Sequence, residues 1–143
     1  MLERHKDRRI ALEILYQLEI TGNLLNEVLE NRLNVAKCKP ISDFCLRIVK
    51  GVYEHRSRID KMIETYADNW LIERMPILDR NIIRISLFEM LYETDIPFSV
   101  SINEAVELAK VYGTVDSSKF VNGVLGKIAS DLKSDAARMS KKS

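Results

Sequence analysis

Apolar residues recur along this chain at helical spacing. In the segment from about Asp7 to Thr21, the residues Ile10, Ala11, Ile14, Leu15 and Leu18 fall on one face, and Gly22 stops the pattern. A second segment, about Leu24 to Ala36, carries Leu25, Val28, Leu29 and Leu33 and runs into the basic loop KCKP, ending at Pro40. Ser42 predicts an N-cap, with Asp43 in the first turn of a third helix. The buried face of that helix is Phe44, Ile48, Val49, Val52 and Tyr53. Charges at Glu54, His55, Arg56 and Arg58 mark a break near Ser57. Ile59, Met62, Ile63, Tyr66 and Trp70 then resume the period, and Trp70 is assigned to the core.

After Pro76 a helix is predicted from about Leu78 or Asp79. Its continuation NIIRISLFEMLYE is the most apolar segment, with a narrow polar stripe of Asn81, Arg84 and Glu89, and predicts a central helix. Beyond Pro97, Ser101 and Glu104 read as a capping box for a helix that packs through Ala105, Val106 and Ala109 and ends at Gly113. Asp116 to Ser118 read as another N-cap, ahead of Phe120, Val121, Val124, Leu125 and Ile128. Gly123 and Gly126 lie inside that pattern and read as close helix packing. From about Ser130 the apolar pattern dies, and 131–143 reads as a basic, disordered tail. The expectation is an all-α bundle of about seven helices, forming one domain over 1–130.

Composition narrows the chemistry. A chain of 143 residues can bury a core without disulfide or metal staples. Cys38, Cys45, His5 and His55 lack zinc-site spacing, so no metal is expected, and free thiols fit a reducing cytoplasm. No GxSxG, P-loop or GxGxxG is present, so neither catalysis nor a cofactor is expected. No apolar run approaches the roughly 20 residues that span a bilayer, and the charged start MLERHKDRRI has no signal-peptide apolar region.

The net charge of +1 argues against nucleic acid until it is divided along the chain. Residues 1–9 hold four Lys/Arg against two Asp/Glu, and residues 127–143 hold five against two, which leaves the body between them at −4. Local basic clusters, not net charge, make phosphate contacts. On a helix that advances 100° per residue, Tyr16 lies within roughly 20° of Arg9 and His5, opposite the buried stripe, with Lys6 and Glu13 flanking it. A basic face with one exposed ring is what binders of single-stranded RNA use: cations hold phosphates and the ring stacks on an unpaired base. The alternative on periodicity alone is that Tyr16 packs on a neighbouring helix and Arg8 and Arg9 are solvated.

Two separated segments resemble a known family. SINEAVELAK, followed after a short gap by DSSKFVNGVLGKIA, is similar to the C-terminal signature of the NusB family of bacterial transcription antitermination factors. RRIALEILYQLEIT resembles that family's first helix, DRNIIRISLFEMLYETDIPFSVSINEA matches its central pattern, and the resemblance covers about residues 4–129. It implies two small helical subdomains and binding to the boxA segment of nascent RNA. It also implies a heterodimer with the ribosomal protein NusE that joins other Nus factors on RNA polymerase. No catalysis is implied.

By position, Lys6 and Arg8 match the family's RNA-contacting N-terminus, and Tyr16 matches the helix-1 tyrosine on the RNA side. Asp116, Ser117, Lys119 and Phe120 match its D-S-x-K-F segment, which also faces RNA. Asp79 and Arg80 match its partner-protein surface. The chain departs from the pattern in its smaller number of N-terminal arginines, interrupted by Asp7, in Arg9 where relatives often carry an acid, and in its basic tail. The competing readings are an accessory module of an RNA methyltransferase, and a protein-only adaptor or homodimer that buries the RNA face.

Overall fold

The computed structural model describes residues 2–34 and 41–142. Seven α-helices and one single-turn 3-10 segment appear among them, and no strand. They are α1 Leu2–Thr21, α2 Leu25–Asn34, α3 Asp43–Glu54, α4 Arg56–Tyr66, the 3-10 turn Ile72–Arg74, α5 Ile77–Tyr92, α6 Phe98–Tyr112 and α7 Ser117–Lys142. The KCKP loop with Cys38 lies outside the described residues.

The all-α expectation holds, and α5 is its centre. This helix packs against α1 and α3 on one side and against α4, α6 and α7 on the other. Every residue from Asn81 to Met90 is buried, so even the narrow polar stripe is internal. Helix α3 starts where expected, because the Ser42 hydroxyl accepts from the backbone N–H of Cys45 at 3.1 Å. Cys45 is fully buried, and burial pushes its thiol up to about 12, so it stays an inert apolar group. Helix α3 meets α5 at Gly51. A Cβ there would lie 1.9 Å from Cε1 of Phe88, so only glycine lets the Phe88 ring press onto that backbone.

Several local expectations are corrected. Helix α1 begins at Leu2, so the basic arm is itself the first turns of the helix. Ser101 and Glu104 do not form a capping box, because α6 already starts at Phe98 behind Pro97. The Ser101 hydroxyl instead donates to Glu89, at 3.1 Å. Trp70 is 40 % exposed rather than core. It follows Asp68 and Asn69, at φ 53° and 62°, a left-handed pair that side chains of Asp and Asn tolerate best. That turn carries the indole to the edge of Phe120, 5.2 Å away. The backbone of α7 runs on through 131–142, where a disordered tail was expected. That stretch contains neither glycine nor proline, and Leu132 still packs on the core.

Gly123 and Gly126 are not packing contacts either. Both are exposed, and a Cβ at either position would meet nothing within 4 Å. Glycine in an exposed helix interior costs about 0.5–1 kcal/mol relative to alanine. Gly126→Ala is therefore expected to raise stability by about that amount, read as a melting temperature higher by about 2–4 °C. An unchanged or lower melting temperature would show that the position is not open.

Candidate nucleic-acid interface

Two ion-pair networks decide which N-terminal charges are free. The first belongs to Arg8, whose guanidinium is 3 % exposed. Its Nε and Nη2 donate to the two oxygens of Glu89 at 2.9 and 2.7 Å, a bidentate pair sealed under α6 with the Ser101 hydroxyl as third donor. Arg8 also lies over the ring of Phe44, with Arg4 and Arg47 around the same ring at 4.5 and 5.7 Å from its centroid. Arg8 is thus corrected from an RNA contact to an internal support. The sequence pattern shows only a basic arm, whereas the burial of Glu89 on the central helix is what draws Arg8 inward.

The outer charges of the arm are partly neutralised as well. Arg4 approaches Asp95 at 3.5 Å, and His5 Nδ1 lies 2.5 Å from Glu104. Lys6 and Arg9 are exposed, and among the described residues no ion pair holds either of them. Tyr16 is 41 % exposed on the same face of α1. The structure therefore brings Lys6, Arg9 and Tyr16 together on one solvent-facing stripe, as the 100° rule places them. The alternative in which Tyr16 is packed away is not what is found.

The second network is centred on Glu19 at the other end of α1. Its carboxylate accepts from the guanidiniums of both Arg80 and Arg84 and from the amide of Asn81. Arg84 in turn donates to both oxygens of Asp60, at 2.8 and 2.9 Å. Burial pushes the Glu19 carboxyl up, but hydrogen bonds from Arg80 and Arg84 and their charges outweigh it and hold it below the usual carboxylate range. Arg84 is likewise opposed by burial, but its pairing with Asp60 and Glu19 holds its proton more firmly than usual.

This network also absorbs one of the two expected partner-protein contacts. Arg80 spends its remaining donors on the carbonyls of Ile72, Glu73 and Met75, at 3.1–3.3 Å. Asp79 is 5 % exposed, and its Oδ1 has no hydrogen-bond partner among the described residues. Neither side chain offers a free surface charge to a partner. The sequence reading missed Glu19 and Asp60, although alternating acids and arginines on α1, α4 and α5 were the available signal.

The D-S-S-K-F segment divides in the same way. Asp116 and Lys119 are exposed. Ser117 is buried, and its hydroxyl accepts from the Thr114 N–H at 2.8 Å, fixing the turn into α7. Phe120 is half-buried against Trp70. The segment thus offers one cation, one carboxylate and an aromatic edge. Trp70, which sequence periodicity assigned to the core, is the added exposed ring.

Nothing in this arrangement resembles a catalytic or metal centre. Among the described residues no group of His, Cys, Asp and Glu could hold a metal ion. No described helix is long and apolar enough to cross a membrane.

Comparison with known proteins fits this geometry. The NusB family model matches residues 5–130. The chain is 42 % identical over 129 residues to the transcription antitermination protein NusB of Pseudothermotoga lettingae, covering 90 % of this chain and 92 % of that one. To the Bacillus subtilis protein of the same name it is 41 % identical over 131 residues, covering 92 % and 98 %. Among solved structures, T. maritima NusB superposes with a TM-score of 0.79 at 38 % identity, over 89 % of this chain and 90 % of that one. A structure of antitermination factors NusB and NusE in complex with double-stranded RNA gives 0.74 at 27 % identity, over 90 % and 96 %. With a family match over nearly the whole helical domain and relatives covered almost end to end, this chain belongs to the NusB family.

Proposed function

We propose that this chain is a non-catalytic, cytoplasmic RNA-binding factor of transcription antitermination. It binds boxA-type RNA in nascent transcripts as a heterodimer with the ribosomal protein NusE, and it joins other Nus factors on RNA polymerase. The observation that carries this reading is the free stripe of α1: Lys6 and Arg9 unpaired beside exposed Tyr16, in a chain that belongs to the NusB family. The relatives named for transcription antitermination and the related NusB–NusE complex with RNA support it. The RNA contacts in this reading are Lys6, Arg9, Tyr16, Asp116, Lys119 and the exposed edge of Phe120. Arg8 and Ser117 act beneath them as supports.

With only a few free cations against an acidic body, the chain alone binds RNA modestly, and the partner adds surface and charge. Fluorescence anisotropy with a labelled boxA-like RNA, with and without NusE, tests this. Lys6→Ala and Arg9→Ala should each weaken binding and flatten the dependence of log Kd on log salt by about 0.7–1. Failure of the wild-type chain to bind the RNA, alone and with NusE, would overturn the reading.

A further inference from the structure

Beside Tyr16 the structure has a cleft that the contacts above do not use. It is about 290 Å³ in volume and is lined by Leu12, Glu13 and Tyr16 of α1, Leu78 of α5 and Tyr112 of α6. Leu12, buried to 2 % exposure, forms the floor, and the other apolar walls are Leu78 and the two tyrosine rings. Neither tyrosine hydroxyl takes part in a hydrogen bond among the described residues, and neither ring is stacked on another aromatic ring there. Both faces are free to receive a flat group.

We infer that this cleft is a pocket for one unpaired nucleobase of the bound RNA, with Tyr16 and Tyr112 as its walls. The inference rests on the RNA-binding reading and deepens it by naming Tyr112 as a binding residue. Three features on the page select a base as occupant. The volume suits a single flat ring system and is small for a larger ligand. The lining is apolar apart from the Glu13 carboxylate, which carries the same sign as a phosphate and turns the RNA backbone away from the cleft. The unpaired cations Lys6 and Arg9 lie along the same face of α1, two to three turns from Tyr16, where the phosphates that flank an inserted base can be held. Apolar walls below and cations beside them match the two chemical halves of a nucleotide.

Stacking and charge leave different signatures, and the test uses that difference. Binding of a labelled single-stranded boxA-like RNA is measured by anisotropy across a salt series for wild type, Tyr112→Phe and Tyr112→Leu. Leucine keeps apolar bulk in a half-buried position, and thermal melting confirms that each variant is folded. Tyr112→Phe should bind within twofold of wild type. Tyr112→Leu should bind about tenfold more weakly with an unchanged salt slope, because stacking releases no counterions. Photo-crosslinking of wild-type protein to RNA carrying 4-thiouridine should mark Tyr16 or Tyr112.

Wild-type binding with equal affinity for Tyr112→Leu, and no crosslink to either tyrosine, would overturn the pocket while leaving the RNA reading intact. If Tyr112→Leu instead weakens binding to NusE in the absence of RNA and leaves RNA binding by the chain alone unchanged, the cleft belongs to the protein partner and the inference fails. A wild-type chain that binds no RNA would overturn the reading and the pocket together.

Discussion

An Arg8→Ala chain is expected to lose about 3–5 kcal/mol of folding stability. Truncation removes both guanidinium bonds to Glu89, whose side chain is 1 % exposed, and leaves a carboxylate inside the fold with one hydroxyl donor from Ser101. The cost is the desolvation of an unpaired charge, which exceeds the net worth of the pair itself. Urea denaturation reads it as a lower midpoint at unchanged m-value. Replacing both partners, Arg8→Met with Glu89→Met, should recover most of the loss, because no buried charge is then left alone. An RNA-contact role for Arg8 makes the opposite forecast: normal stability, weaker RNA binding and a flatter salt slope. Near-normal stability in the single variant would therefore refute the structural role assigned to Arg8.

Glu19→Gln should cost about 2–3 kcal/mol at neutral pH. It removes the charge that neutralises two guanidiniums, one of them the buried Arg84, while keeping the side-chain shape. Its pH dependence provides the sharper check. The Glu19 carboxyl is held below its ordinary range in the folded chain. Its stabilising contribution is therefore complete above the unfolded-state value of about 4.3 and is lost as pH falls through the still lower folded-state value. The stability gap between wild type and Glu19→Gln should be widest near pH 7 and close progressively below about pH 4. A gap that stays constant down to pH 2 would show that the carboxylate charge does not hold this network.

Helix content was legible because it rests on spacing. Apolar residues three and four apart, breakers at Gly22, Pro76 and Pro97, and the Ser42 cap all act within a few residues, and the structure places helices accordingly. The exposed stripe of α1 was legible for the same reason. Lys6, Arg9 and Tyr16 follow from one helical period once the opposite face is buried. Errors gathered where a residue's fate depends on something far away in sequence. Trp70 has helical spacing relative to Tyr66, but the left-handed Asp68 and Asn69 turn the chain before it can be buried. Ser101 has a capping-box pattern, yet Glu89 twelve residues earlier takes its hydroxyl.

The sequence by itself determined that the chain forms a helical bundle of the NusB family, with a basic, tyrosine-bearing face on its first helix. These features follow from local periodicity and from motifs that persist in order. Only the tertiary structure decided which charges are free to bind. Arg8 and Arg80 are equal to Arg9 as letters, but α5 passes beneath the first two with Glu89 nearby and Glu19 closing over the second. An arginine within reach of a buried carboxylate is retained in the fold, because separating the pair would strand a charge in low dielectric. Arg9 and Lys6 face water and keep their charge for a ligand. The cleft between Tyr16 and Tyr112 exists only because α1, α5 and α6 meet there, at three places in the chain that no local pattern connects.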